Sequence, residues 1–118
     1  MRSLGNSVKP DEAARSDESD RPFTLPRQVH MLGIGGAGMS GAARLLHARG
    51  VQVTGHDRSQ GAFLKDLDPL GLEVVVGESQ SEALPPQTQL VVRSAAVPDS
   101  DPQVVAARER GLPVWMYA

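Results

Sequence analysis

The fold of this chain is decided by one stretch of sequence, Gly33-Ile34-Gly35-Gly36-Ala37-Gly38-Met39-Ser40-Gly41. It contains the pattern G-x-G-x-x-G at Gly33, Gly35 and Gly38. The apolar run at 29–32 before it predicts a buried strand, and the apolar residues after it recur at helical spacing. A glycine pattern that lies between a strand and a helix is typical of folds that bind the phosphates of nucleotides.

Each glycine of this stretch has an expected role. Gly33 permits a tight turn out of the strand, and Gly38 lets the helix pack close to the sheet. Gly35 and Gly36 leave no Cβ between the backbone and a diphosphate, which would face the free N–H groups of the first helical turn. We expect the diphosphate-binding residues to be Gly33, Gly35, Gly36, Ala37, Gly38, Met39 and Ser40. The alternative is that the glycines serve only the packing of the helix on the strand.

The rest of the chain alternates between strand and helix patterns. Strands are predicted at 29–32, 51–55, 72–76, 89–93 and 112–116, and helices at 39–49, 62–70 and 102–110. Apolar strands that alternate with helices form parallel sheets covered on both faces. The sequence therefore predicts an α/β protein, a Rossmann-like doubly wound sheet of five parallel strands in the order 3-2-1-4-5.

The first residues differ from the rest in composition. Pro10, Pro22 and Pro26 interrupt any regular element, and residues 11–21 are almost all charged or small. Such a segment buries too little apolar surface to offset the entropy lost on ordering. We therefore predict a disordered tail over 1–26, or alternatively a docking peptide, followed by one nucleotide-binding domain over 27–118.

Two further segments are expected to complete the site. Asp57 follows the second predicted strand by two residues, near where an acidic residue meets the ribose in dinucleotide-binding folds, although it could instead cap the next helix. Ser94, Ala95 and Ala96 follow the fourth strand, which adjoins the first at the topological switch point. Their small side chains would let a ligand lie against the backbone, although the segment could also be an ordinary loop. His56 is expected to be a solvated histidine at the strand end.

Composition excludes several classes of function. The chain has 118 residues, a formal net charge of −2 and no cysteine, so disulfides, cysteine-based zinc sites and thiol catalysis are excluded. It gives no electrostatic reason to expect nucleic acid or an anionic membrane as a partner. It also lacks a signal-peptide pattern, a G-x-x-x-x-G-K-[ST] phosphate loop and an H-E-x-x-H motif. We expect a soluble cytoplasmic protein with no catalytic residue and no metal site of its own.

Over residues 28–118 the chain resembles the Mur ligase family, in particular the members that add L-alanine to UDP-N-acetylmuramic acid. The glycine stretch carries the resemblance, together with 50–57, 91–97 and the segment 104–114. The resemblance implies a UDP-N-acetylmuramic-acid-binding N-terminal domain without a cofactor. It also implies that the central and C-terminal domains, with ATP and Mg²⁺, lie outside this chain, which alone would be inactive. Glu78 stands where the family usually has histidine, and Ala95 where it commonly has a second serine.

Three other functions stay open at this point. The glycine pattern with Asp57 also fits an NAD-binding regulatory module. A related recycling ligase, which joins a preformed peptide to UDP-N-acetylmuramic acid, shares the glycine motif. Glu78 and Ala95 are also compatible with a chain that has lost ligand binding and serves only protein interaction.

Overall fold

The computed structural model of the chain describes Val8–Lys9 and residues 25–117. Most of the segment predicted to be a disordered tail, 1–7 and 10–24, lies outside the described residues. Within that segment Val8–Lys9 forms a two-residue strand, β1, which pairs antiparallel with the last strand of the sheet. The composition of this segment does not predict the pairing.

A single sheet with helices on both faces makes up the described chain. After β1, the strands are β2 (Gln28–Leu32), β3 (Gln52–Asp57), β4 (Glu73–Val76), β5 (Leu90–Ser94) and β6 (Val114–Tyr117). The α-helices are α1 (Ala37–Ala48) and α2 (Pro102–Glu109), and two short 3₁₀ helices span Ala62–Leu70 and Ser81–Ala83. The sheet order is β1-β6-β5-β2-β3-β4, with β2 to β6 all parallel. Those five strands have the predicted order 3-2-1-4-5, so the predicted fold class is confirmed.

The helix predicted at 62–70 is a 3₁₀ helix rather than an α-helix. Pro69 lies inside it, and in an α-helix the proline ring would clash with the carbonyl group four residues earlier. The two buried leucines, Leu64 and Leu67, are three residues apart, which is the repeat of a 3₁₀ helix. The segment ends at Gly71, whose φ of 67° places it in the left-handed region that glycine tolerates.

An apolar cluster covers each face of the sheet. Helix α1 and the 3₁₀ helix Ala62–Leu70 cover one face, and α2 covers the other. The first cluster contains Val29, Met31, Ile34, Met39, Ala42, Ala43, Leu46, Val51, Val53, Leu64, Leu67, Leu90 and Val92. The second contains Leu32, Leu84, Val91, Val104 and Ala107. Burial on both faces of β2 and β5 explains why these strands read as continuous apolar runs.

Buried hydrogen bonds tie α2 to the sheet. His30 lies 2.7 Å through Nδ1 from Thr54 Oγ1 and 2.7 Å through Nε2 from Gln103 Oε1. Gln103 Nε2 donates to Ser79 Oγ, and the Ser79 hydroxyl donates to Asp101 Oδ1. Asp101 also accepts from Gln103 N at 2.8 Å, so it is the N-cap of α2. Because Gln103 Oε1 only accepts, His30 must carry a proton on Nε2.

This network makes the stability of the fold depend on pH. Burial lowers the pKa of His30 from 6.5 to about 4, although the Gln103 hydrogen bond acts to raise it. Between these values the unfolded chain binds the proton that the folded chain excludes, so the free energy of unfolding falls as the pH falls from 6.5 towards 4. The full effect is about 3 kcal/mol. Urea unfolding of the wild type at a series of pH values measures it.

Two single variants isolate this contribution. His30→Gln removes the titrating ring, and we expect its stability to fall less between pH values in this range than that of the wild type. His47→Gln is the matched control, because His47 is an exposed histidine on α1, and it should retain the wild-type dependence. If His30→Gln and the wild type lose stability in parallel, burial of a neutral His30 is not the cause.

Candidate functional site

The carboxyl ends of β2, β3 and β5 meet at a cavity of about 330 Å³. After β2 the chain continues to one face of the sheet, and after the neighbouring strand β5 it continues to the other face. The cavity therefore lies at the topological switch point of a doubly wound fold. The cavity is lined by Leu32, Gly33, Gly35, Gly36, His56, Asp57, Arg58, Ser59, Gly61, Ser94, Ala96, Val97, Pro98 and Asp101. Six of the predicted site residues are among them: Gly33, Gly35, Gly36, Asp57, Ser94 and Ala96.

The turn after β2 is held by the end of β3. The backbone N–H groups of Gly33 and Ile34 both donate to His56 O, at 2.8 and 3.2 Å. Gly33 has a φ of 78°, which side chains rarely adopt, and a Cβ there would lie 2.9 Å from Ser94 Cβ. Gly33 is therefore required both by the turn and by the close approach of β5.

Asp57 forms a hydrogen bond inside the glycine turn. Its Oδ2 accepts from Gly35 N at 2.8 Å. A Cβ on Gly35 would lie 2.8 Å from the same oxygen and 3.1 Å from Leu64 Cγ. The absence of a side chain at Gly35 thus brings the carboxylate against the backbone, and Asp57 stabilises the turn before α1. Its expected contact with a ribose stays a prediction.

The other glycines of the stretch differ in their surroundings. A Cβ on Gly38 would lie only 2.5 Å from Tyr117 Cε1, so this glycine lets the ring of Tyr117 at the end of β6 pack against the first turn of α1. A Cβ on Gly36 would meet nothing nearer than Gly33 O at 3.5 Å, and one on Gly41 would meet nothing within 4 Å. Packing therefore accounts for Gly33, Gly35 and Gly38. Gly36 lines the cavity without being required by the fold.

The N-terminus of α1 has free donors beside the cavity. Its N-cap, Gly36, provides no side-chain hydrogen bond, and its first turn holds no acidic residue. Because helix geometry gives the first amides no partner in the helix, the N–H groups of Ala37, Gly38 and Met39 are available to an anion. Ser40 N is not, because it donates to Gly36 O at 2.8 Å.

Some predicted site residues do not reach the cavity with their side chains. Met39 and Ser40 are buried on the sheet side of α1, and the Ser40 hydroxyl donates to Ala37 O at 3.0 Å. Neither lines the cavity, and Ala37, Gly38 and Ala95 do not line it either. Any contribution of Ala37, Gly38 and Met39 to binding would therefore come from their backbone amides. For Ser40 the helix already uses the amide.

The loop after β5 is fixed by a buried cation. Arg93 is 8% exposed, forms an ion pair with Asp99 at 2.8 Å through Nη2, and donates to Val97 O through Nη1. Ser94 Oγ accepts from Ala96 N at 3.2 Å, which closes the start of the same loop. These contacts hold the loop as one wall of the cavity. The Arg93 guanidinium is therefore held by residues of its own loop.

The expectation that His56 is solvated is wrong. The strand β3 continues to Asp57, two residues beyond its predicted end; His56 pairs with both β2 and β4, and Asp57 pairs with β4. His56 is consequently 3% exposed, and its Nε2 has no hydrogen-bond partner among the described residues.

Several residues of the cavity wall are not among the predicted site residues: Arg58, Ser59, Gly61, Val97, Pro98 and Asp101. Most of them lie within four residues of a predicted site residue, so their position in sequence was the available signal. Asp101 lies five residues beyond Ala96, and the structure shows it as the N-cap of α2.

Comparison with known proteins agrees with the glycine turn and the sheet order. The family model described as "Mur ligase family, catalytic domain" matches residues 28–118. The chain belongs to the Mur ligase family. UDP-N-acetylmuramate–L-alanine ligase of Methylibium petroleiphilum is 43% identical over 88 residues, which are 75% of this chain and 18% of that protein. The ligase of the same name from Thermobifida fusca is 42% identical over 105 residues, 89% of this chain and 20% of that protein.

Solved structures of Mur ligases share the fold. The crystal structure of UDP-N-acetylmuramate–alanine ligase from Thermotoga maritima matches with a TM-score of 0.68 and 31% identity, over 74% of this chain and 20% of that one. The UDP-N-acetylmuramate:L-alanyl-gamma-D-glutamyl-meso-diaminopimelate ligase from Neisseria meningitides matches with a TM-score of 0.67 and 25% identity, over 78% and 29%. The chain therefore spans about a fifth of the length of the curated relatives quoted above.

The described part of this Mur ligase chain has neither a group of potential metal ligands nor a helix that could span a membrane. Within it, no three histidine, aspartate or glutamate side chains are grouped so that they could hold a metal ion. None of its helices is long and apolar enough to cross a membrane.

The contact between Gly38 and Tyr117 predicts opposite effects for two alanine substitutions in α1. Gly38→Ala should destabilise the fold by about 1–3 kcal/mol, because its Cβ overlaps the tyrosine ring. Gly41→Ala should stabilise it by up to about 1 kcal/mol, since alanine is the better helix former and the space is open. Urea denaturation measures both.

A double variant identifies the cause of the loss. In a Tyr117→Ala background the ring is absent, and Gly38→Ala should then be as favourable as Gly41→Ala. If Gly38→Ala costs the same in both backgrounds, the tyrosine ring is not what excludes a side chain at this position.

Proposed function

We propose that this chain is the domain that binds UDP-N-acetylmuramic acid in a ligase adding L-alanine to that sugar nucleotide. The observation that carries the proposal is the cavity at the switch point, where the uncapped N-terminus of α1 meets Gly36, a glycine that internal packing does not require. The relatives whose names state this activity support the substrate.

The diphosphate is assigned to the N-terminus of α1. Three backbone N–H groups there lack a partner in the helix, and the helix dipole adds a partial positive charge. Gly36 leaves room for a phosphate group to approach them. The remaining parts of the ligand would extend along the cavity, past Asp57 on β3 on one side and past the Ser94–Ala96 loop on the other.

The ligation itself is assigned to parts of the enzyme outside this chain. In such a reaction the muramic acid carboxylate would take the terminal phosphoryl group of ATP and release ADP, and the alanine amine would then displace inorganic phosphate to form the amide bond. The resemblance places ATP and Mg²⁺ with the remaining domains. Alone, this chain binds the sugar nucleotide in the cytoplasm and forms no amide bond, and an assay with ATP, Mg²⁺ and alanine should detect no product.

A second candidate is the ligase that joins a peptide to the same sugar nucleotide. The structural match to the Neisseria enzyme favours it, with a TM-score almost equal to that of the alanine ligase. In both candidate ligases this domain would bind UDP-N-acetylmuramic acid. A longer chain that includes the following domains, assayed with alanine and with the tripeptide, separates them.

Substitutions at Gly36 test the binding site directly. Gly36 has extended backbone angles, φ −69° and ψ 153°, which any residue can adopt. In Gly36→Asp the carboxylate would cap the free amides of α1 and repel a diphosphate, so the fold should be as stable as the wild type or more stable. We expect its affinity for UDP-N-acetylmuramic acid, measured by calorimetry, to fall by at least about tenfold.

Gly36→Asn is the control of matched shape. It caps the helix without adding charge, so it should weaken binding less than Gly36→Asp while leaving the melting temperature unchanged or higher. If both variants bind with wild-type affinity, the assignment of the diphosphate to the N-terminus of α1 is wrong. No binding by the wild type at millimolar ligand would refute the proposed function. Displacement of the ligand by NADH at equal concentration would favour the NAD-binding alternative.

A further inference from the structure

The cavity holds an unusual balance of charge for a site that accepts an anion. Two aspartates line it, Asp57 at the end of β3 and Asp101 at the start of α2. Among the described residues that line the cavity, Arg58 is the only lysine or arginine. A diphosphate that enters therefore meets two carboxylates and one guanidinium.

Both carboxylates are fixed in place by the fold. Asp57 Oδ2 accepts from Gly35 N, and Asp101 Oδ1 accepts from Gln103 N and from the Ser79 hydroxyl, each at 2.8 Å. Asp101 is 6% exposed, so it cannot turn away into solvent. Their charges thus remain in the cavity wall when a ligand binds, and repulsion must be offset by groups of positive charge.

The second arginine near the cavity is already engaged. Arg93 is buried, pairs with Asp99 and donates to Val97 O, and it does not line the cavity. Arg58, by contrast, is exposed at the cavity mouth and directly follows Asp57. Its long side chain can reach a phosphate in the cavity, and its planar guanidinium can donate two parallel hydrogen bonds to phosphate oxygens.

We propose that Arg58 is the residue that makes this cavity prefer ligands with a diphosphate over the same ligands without one. This inference rests on the proposed function and extends it, because it assigns the charge compensation to a side chain rather than to the amides of α1 alone. Arg58 acts on the phosphates and not on the nucleoside. Its contribution should therefore grow with the number of phosphate groups on the ligand.

A series of ligands tests the assignment. The 118-residue chain is titrated by calorimetry with UDP, UMP and uridine, for the wild type, Arg58→Gln and Arg58→Lys. We expect Arg58→Gln to lose about tenfold in affinity for UDP, less for UMP, and nothing for uridine. The dependence of UDP affinity on salt should also become weaker, and Arg58→Lys should restore most of that dependence without full affinity.

Arg49→Gln is the matched control, since it removes the same charge from an exposed arginine at the far end of α1, about 18 Å from its start. It should change UDP affinity little. The proposal is overturned if Arg58→Gln binds UDP like the wild type, if it loses uridine and UDP equally, or if Arg49→Gln loses as much. In each case UDP binding by the wild type would still stand. Absence of UDP binding in the wild type would instead reject the proposed function, and this inference with it.

Discussion

The hydrogen bond from Gly35 N to Asp57 Oδ2 joins the turn after β2 to the end of β3. The same two segments are joined by the N–H groups of Gly33 and Ile34, which both donate to His56 O. Ile34 is fully buried beside Gly55. A Cβ on Gly55 would lie 2.5 Å from Ile34 Cδ1, so the turn packs directly on β3. The direction in which α1 leaves the sheet, and with it the position of its free amides, depends on these contacts.

The architecture could be predicted because short stretches of the sequence show the apolar and glycine patterns of its strands, helices and turns. The runs that became β2 and β5 are apolar on both faces, and the glycine stretch marks the turn from β2 into α1. Element ends were less accurate, since strand pairing rather than composition sets them: β3 extends past its predicted end because β2 pairs with it to His56 and β4 pairs with it to Asp57. The 3₁₀ form of Ala62–Leu70 depends on Pro69, whose effect competes with a leucine spacing that also fits an α-helix.

The candidate site was predicted less completely, for a different physical reason. Sequence shows which glycines exist but not what occupies the space beside them, so Gly36 and Gly38 look alike. Tyr117 is 79 residues from Gly38 in the chain, and only the assembled sheet brings its ring to the helix. In the same way, Asp101 caps α2 and also lines the cavity. Its local sequence predicts a helix cap but not a position in the cavity wall.

The contact between Asp57 and Gly35 also constrains how the site can accept an anion. A carboxylate already occupies the Gly35 amide, so a phosphate oxygen would have to displace Asp57 to use that donor. The amides of Ala37, Gly38 and Met39 carry no such occupant, because the first turn of α1 has neither a capping side chain nor an acidic residue. The Asp57 carboxylate and a bound phosphate would thus use different backbone donors: Asp57 accepts from Gly35 N, and the phosphate would accept from the first amides of α1. An aspartate can therefore stand in the wall of a phosphate site, provided that the remaining charge is balanced from the cavity mouth.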